Sequence, residues 1–153
     1  MPLVPPLDAL PAVPVERVEL VVVELPVLAP LVAAHGAAAS SRPVLLLRVV
    51  ADGVDGWAEC AVESTPAYDG FHTEGELAAL RDEVIPIALR SGLSDWSHLD
   101  AANWRRPGVA ALELAVLDAQ LQVAGRSLAD WLGATETVVA AGATVGLAPD
   151  PAD

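Results

Sequence analysis

The chain has 153 residues, enough for one domain with a real core and too few for an added (β/α)8 barrel, which by itself needs roughly 250 residues. Its net charge of −13 and pI near 4.3 exclude phosphate-backbone recognition of nucleic acid and adhesion to an anionic membrane surface, both of which need clustered cations. All eight cations are arginine, so Schiff-base and lysine general-base chemistry cannot arise within this chain, and the lone Cys60 excludes an internal disulfide or a multi-cysteine zinc site and fits a reducing, cytoplasmic setting.

In chain order, residues 1–14 carry Pro2, Pro5, Pro6, Pro11 and Pro14 and no cationic stretch, which predicts a loose arm rather than a signal peptide or a spanning helix. Residues 15–25, VERVELVVVEL, are rich in β-branched types and predict a strand. A loop from Pro26 to about Arg42 leads to a second strand at 43–51, PVLLLRVVA. The Asp52-Gly53 and Asp55-Gly56 pairs supply turn chemistry, and GWAECAV gives a third strand through Val62. Short links between these strands predict an antiparallel meander. A second loop runs from Glu63 to His72.

The hydrophobic period then lengthens. Thr73 with Glu76 fits a capping box, Leu77, Leu80, Val84 and Ile87 mark one helical face, and Pro86 is expected to kink or end that helix. A short helix around Ser97–Trp104 follows. The strongest helix starts at Pro107 and stops at Gly125. It carries one apolar stripe of Leu112, Ala115, Val116, Ala119 and Val123, and a second of Leu114, Leu117 and Leu121, so it calls for cover on two sides. Ser127 and Asp130 cap a brief helix ending at Gly133. The charge-free TVVAAGATVGLA after it reads as a buried strand, the first of something larger.

Catalytic motifs are absent: the sequence holds no glycine-rich dinucleotide or Walker loop, no nucleophile elbow and no HExxH. Asp69, His72 and Glu74 are metal-ligand types, but their setting reads as a solvated loop-to-helix junction; Asp52 and Asp55 read as turn residues rather than part of a calcium loop. Glu113 and Asp118, five apart, do not share a helix face and read as its polar side. Cys60 reads as an inert buried thiol, and Trp57, Trp96, Trp104 and Trp131 as core or seam residues. By its residues alone this is an α+β domain with no catalytic residue and no metal ligand set.

Four segments in order, PVLAPLVAAHG, PVLLLRVVADGVDGWAECAVESTPAY, ALELAVLDAQLQVAGRSLADWLGA and VVAAGATVGL, resemble the N-terminal capping region of the enolase superfamily. The likeness is to its muconate-lactonizing, o-succinylbenzoate synthase and N-acylamino acid racemase branch, over about Val15 to Leu147. The chain departs from the family pattern in reading Gly56-Trp57-Ala58-Glu59 for the usual G-x-G-E, and Leu117 for a frequent tryptophan. The resemblance implies an enolase-like N-terminal domain at 15–135, an arm at 1–14, and the first strand of a truncated barrel at 136–153.

It further implies Mg2+ and a catalytic lysine in the complete enzyme, both supplied by the barrel, and a cytoplasmic lyase or isomerase acting on a small carboxylate, such as a step of menaquinone biosynthesis. Carried over by position, the substrate-binding residues are Leu31 and His35 on the first loop, Glu63 and Tyr68 on the second, and Thr144 on the first barrel strand. The partner implied is the barrel domain or a further copy of the chain, with no nucleic acid and no membrane. Within the superfamily the alternatives are a dipeptide epimerase or an acid-sugar dehydratase; outside it, a non-catalytic binding module. A fragment of the enzyme should expose apolar surface on the 107–124 helix and the 138–147 segment.

Overall fold

The structure is a computed structural model and describes residues 10–28, 40–51, 53–66, 69–91 and 106–143. Three strands, β1 (Val15–Pro26), β2 (Ser41–Ala51) and β3 (Val54–Cys60), pair antiparallel in the order β1-β2-β3. The meander follows the alternating pattern of β2, where Leu45, Leu47, Val49 and Ala51 point to one face and are fully buried. Glu19, Arg48, Asp55 and Trp57 lie on the other face. The predicted turn at Asp55-Gly56 is instead the start of β3, whose register pairs Asp55 with Val50 and Gly56 with Val49. The reversal falls before it, around Gly53, because one turn suffices to join β2 to β3.

After the loop, α1 (Thr73–Ala79) runs through a wide π-type turn at Leu80–Val84 into α2 (Ile85–Ser91). Pro86 does not end the helix, which continues through it to Ser91. Proline offers no N–H to the preceding turn, and the π turn just before it accommodates that loss while the helix continues. Helix α3 (Pro107–Val123) begins with proline at its first position and stops as predicted: Gly125 takes a left-handed φ of 61°, and the Arg126 N–H reaches back to the Leu121 carbonyl at 3.0 Å. In α4 (Leu128–Leu132) the Asp130 N–H donates to Ser127 Oγ at 3.0 Å, and Ser127 Oγ donates to Asp130 Oδ2 at 2.7 Å, the reciprocal cap the sequence implied.

Helix α3 lies across β3 and β2. Val109, Leu112, Ala115, Val116 and Ala119 are buried on its sheet side, joined in the core by Leu45, Leu47, Val49, Leu80 and Val84. Two features fix how close it comes. A Cβ on Gly56 would sit 2.0 Å from the Ala115 carbonyl oxygen and 2.7 Å from the Ala119 nitrogen, so only glycine lets helix and strand approach this far. Beside it, the Trp57 N–H donates to Asp118 Oδ2 at 2.9 Å, which ties the strand to the helix across 61 residues of chain.

The second stripe of α3 is divided. Leu121 is buried, Leu117 half-buried, and Leu114 is 52% exposed. Val123, assigned to the first stripe, is exposed as well. The segment expected to form a buried strand does not do so where it is described: Thr137–Ala143 has no strand partner, and Val138 and Val139 are each 82% exposed. A strand exists only through the ladder it joins. Residues 144–147 lie outside the described residues, as do the helix expected at Ser97–Trp104 and the side chains of Trp96 and Trp104. Ahead of β1, the Pro11 carbonyl accepts from Gln120 Nε2 at 2.9 Å and Val13 packs on the core.

Candidate functional site

Of the five residues carried over as substrate-binding, Glu63 is described; Leu31, His35, Tyr68 and Thr144 lie outside the described residues. Glu63 opens the loop that links β3 to α1, and its side chain is exposed. Its backbone is fixed. The Glu63 carbonyl accepts from the Thr73 N–H at 3.0 Å and from Thr73 Oγ1 at 3.3 Å, and Glu63 and His72 form an isolated parallel bridge. The two ends of the loop are thus held together at its neck. Within it, Asp69 Oδ1 accepts from the Phe71 N–H at 3.0 Å, and Phe71 packs against the core.

The neck rests on a buried carboxylate that sequence reasoning misassigned. Thr73 and Glu76 do not form a capping box, because His72 is the N-cap of α1 and its side chain accepts no capping hydrogen bond. Helix α1 starts one residue earlier than the motif requires, so Thr73 lies inside the helix and bonds across to Glu63. Glu76, 1% exposed, turns inward. Its Oε2 accepts from the Gly108 N–H at 2.9 Å, in the first turn of α3, and its Oε1 lies 3.1 Å from Arg106 Nη2. The same Arg106 nitrogen donates to the Gly75 carbonyl at 3.2 Å. A carboxylate placed at a helix N-terminus meets both unsatisfied N–H groups and the positive end of the helix dipole, which offsets its burial. No local pattern signals this contact, since its partner is 32 residues away.

The remaining candidates fall to structural roles. Among the described residues no three His, Cys, Asp or Glu side chains come together as a metal-holding group, so Asp69, His72 and Glu74 form no metal site. Cys60 is buried in the core, and burial, followed by the nearby Glu76 and Glu59 charges, pushes its thiol up to about 11. It is an unreactive thiol at neutral pH. Burial also raises Glu113 above the usual carboxylate range, while Asp118 is engaged by Trp57 and Gln122. Trp131 is buried in accordance with a seam role, but Trp57 is not a core residue. It is 48% exposed on the outer face of the sheet, with the Arg48 guanidinium 5.6 Å from its ring centroid. Arg48 there also pairs with Glu19 and Asp55, and those hydrogen bonds, Asp55's first, raise its pKa further. No helix among the described residues is long and apolar enough to cross a membrane.

A three-stranded antiparallel meander followed by helices, with the long helix laid over the last two strands, is the architecture of the enolase-type N-terminal domain. A structure of an enolase-superfamily member from Listeria innocua superposes with a TM-score of 0.69, at 24% identity, over 81% of this chain and 34% of that one. Residues 17–133 match the N-terminal domain model of the mandelate racemase / muconate lactonizing enzyme family, and the chain belongs to that family. It is 35% identical over 134 residues to an N-succinylamino acid racemase of Amycolatopsis, covering 85% of this chain and 36% of the relative. To an o-succinylbenzoate synthase of Listeria innocua it is 25% identical over 136 residues, covering 86% and 36%. The chain therefore spans about a third of the length of the curated relatives it matches. The family implies Mg2+ in its complete enzymes. The described residues of this chain supply no ligand set for it.

Proposed function

We propose that this chain is the capping, substrate-selecting part of an o-succinylbenzoate synthase-like dehydratase or N-acylamino acid racemase, working over a (β/α)8 barrel that carries the chemistry. The observation that carries this reading is the match of residues 17–133 to the family's N-terminal domain in a chain about a third as long as its relatives. The composition supports it: with no lysine among 153 residues, a lysine base for proton abstraction has to come from elsewhere. So does the apolar surface left by Leu114, Leu128, Leu132, Val138 and Val139, which a barrel packed alongside would cover. Residues 136–153 then lead into its first strand.

In this reading the chain binds and orients the substrate and excludes water, while proton transfer belongs to the barrel. Leu31 and His35 would face the substrate from the first loop, Glu63 and Tyr68 from the second, and Thr144 from the first barrel strand. The test is reconstitution. Mixed with Mg2+ and the isolated barrel of the Amycolatopsis racemase, the chain should restore exchange of the α-proton of an N-succinylamino acid in deuterated water, followed by NMR. A stable, monodisperse chain that binds no such barrel and restores no exchange would instead identify a self-sufficient binding module.

A second reading has one observation in its favour. The exposed Glu63 carboxylate at the loop neck repels a second carboxylate on a substrate and attracts an ammonium, which suits a dipeptide epimerase. In the reconstituted complex, Glu63→Gln should then weaken turnover of a dipeptide and spare an N-succinyl substrate. The opposite pattern excludes the epimerase.

A further inference from the structure

We infer that Thr73 and Glu76 are positioning residues for the Glu63–His72 loop, fixing its neck to the rigid part of the domain; its bearing on substrate selection rests on the function proposed above. The chain of contacts is continuous. Helix α3 is locked to the sheet by the Gly56 approach and the Trp57–Asp118 bond. The first turn of α3 holds Glu76 through the Gly108 N–H and Arg106. Glu76 sits one turn beyond Thr73 on α1, and Thr73 holds the Glu63 carbonyl with two donors.

Each link is closed to substitution by something less specific. Glu76 and Thr73 are both buried, so water does not replace their partners cheaply. A side chain at Gly108 would press on this contact, because a Cβ there would lie 2.8 Å from Glu76 Oε2 and 3.0 Å from Leu80 side-chain atoms, one of which would have to shift. Arg106 reaches both the Glu76 carboxylate and the Gly75 carbonyl, which fixes the first turn of α1 against the start of α3. A loop on such a neck cannot drift as a whole without breaking a buried contact. Its base stays registered to the fold, as suits a segment that selects ligands.

The experiment is hydrogen exchange of the full chain, read by mass spectrometry, with four variants. Thr73→Val keeps the buried shape and removes the Oγ1 donor, and Thr73→Ser restores the donor. Glu76→Gln keeps an acceptor for Gly108 and removes the charge facing Arg106; Glu76→Ala removes both. The amides of Ser64, Thr65 and residues 69–72 should exchange about fivefold faster in Thr73→Val, the shift that one lost hydrogen bond corresponds to. Thr73→Ser should return them to the original rate, and Glu76→Gln should speed them while β2 and β3 amides stay unchanged.

Unchanged loop rates in both Thr73→Val and Glu76→Gln overturn it. So does an equal acceleration of the sheet amides, which marks general destabilisation. If Glu76→Ala does not fold, the Thr73 pair still decides. In the barrel complex, Thr73→Val should raise KM more than it lowers kcat; loosened loop amides with both constants unmoved would refute the link to substrate. Failure of the complex to form at all bears on the proposed function alone, since the exchange result stands without it.

Discussion

Gly56→Ala is a one-methyl change with a large expected effect. The new Cβ would stand 2.0 Å from the Ala115 carbonyl oxygen, 2.7 Å from the Ala119 nitrogen and 2.9 Å from the Ala119 Cβ. The two nearest of these are backbone atoms inside a helix, so no rotamer change relieves them. The first contact must lengthen to at least 3.4 Å for ordinary packing, which means moving α3 off β3. Overpacking of a close-packed core costs about 1–3 kcal/mol. Retreat of the helix also stretches the 2.9 Å bond from Trp57 to Asp118, and a hydrogen bond to a charged group contributes about 1.5–3 kcal/mol when buried and less where it is exposed, as here. The sum points to a loss of about 3 kcal/mol. With a urea slope of about 2 kcal/mol per molar, the unfolding midpoint should fall by about 1.5 M. Far-UV circular dichroism during urea titration measures it, and Gly142→Ala, where nothing lies within 4 Å of the new methyl, serves as the unaffected control. A loss in Gly56→Ala below about 0.5 kcal/mol, the range of an ordinary surface substitution, would show that α3 is not held where described.

The Cys60 thiol has its pKa raised in the fold, to about 11 from 9.0, so the stability it confers is complete below pH 9 and is lost as pH rises toward 11. The slope is at most about 1.4 kcal/mol per pH unit, and Cys60→Ala should abolish it. A chain without lysine and with one tyrosine leaves that window unusually clear. Consistent with burial, a thiol reagent at pH 8 should label Cys60 slowly in the folded chain and fast in urea. Ser127→Ala removes the α4 cap and should cost about 1 kcal/mol, visible as earlier exposure of Trp131 by fluorescence. Burial disfavours the charged form of Glu113, so Glu113→Gln should slightly raise the urea midpoint at pH 7, and the gain should fade as acid protonates the original carboxyl. Finally, Leu114→Gln combined with Val138→Thr and Val139→Thr should lower binding of a hydrophobic dye; an unchanged signal would show that those side chains are not the exposed surface.

What was legible in the sequence was local. The β-branched runs marked β1 and β2, Gly53 marked the turn into β3, Ser127 with Asp130 marked the α4 cap, and Gly125 and Gly133 marked helix ends, because each is a pattern completed within a few residues. What escaped was non-local. The Thr73–Glu76 spacing satisfies the capping-box rule, yet both side chains bond to partners brought in by the fold, the Glu63 carbonyl and the Gly108 N–H. Asp55-Gly56 has hairpin chemistry, but its glycine serves a helix more than fifty residues downstream. Asp118 reads as an ordinary polar-face residue until Trp57 is placed beside it. The 138–143 stretch has strand composition without a strand, since composition cannot supply a neighbour. Of the candidate site, the loop opening at Glu63 was legible from its turn-forming residues, while the anchoring of its neck was not.

Among the described residues, strand β1 forms an outer edge of the sheet, with Val21, Val22 and Leu25 exposed along it. Such an edge invites a second strand to add on. Glu16, Glu19 and Glu24 stud the same strand, and the net charge of −13 keeps copies apart at neutral pH. The net charge of the chain falls to zero as the solution approaches the pI near 4.3, and with it the repulsion that keeps two such edges apart. Acidification toward the pI should therefore favour edge-to-edge association of this chain.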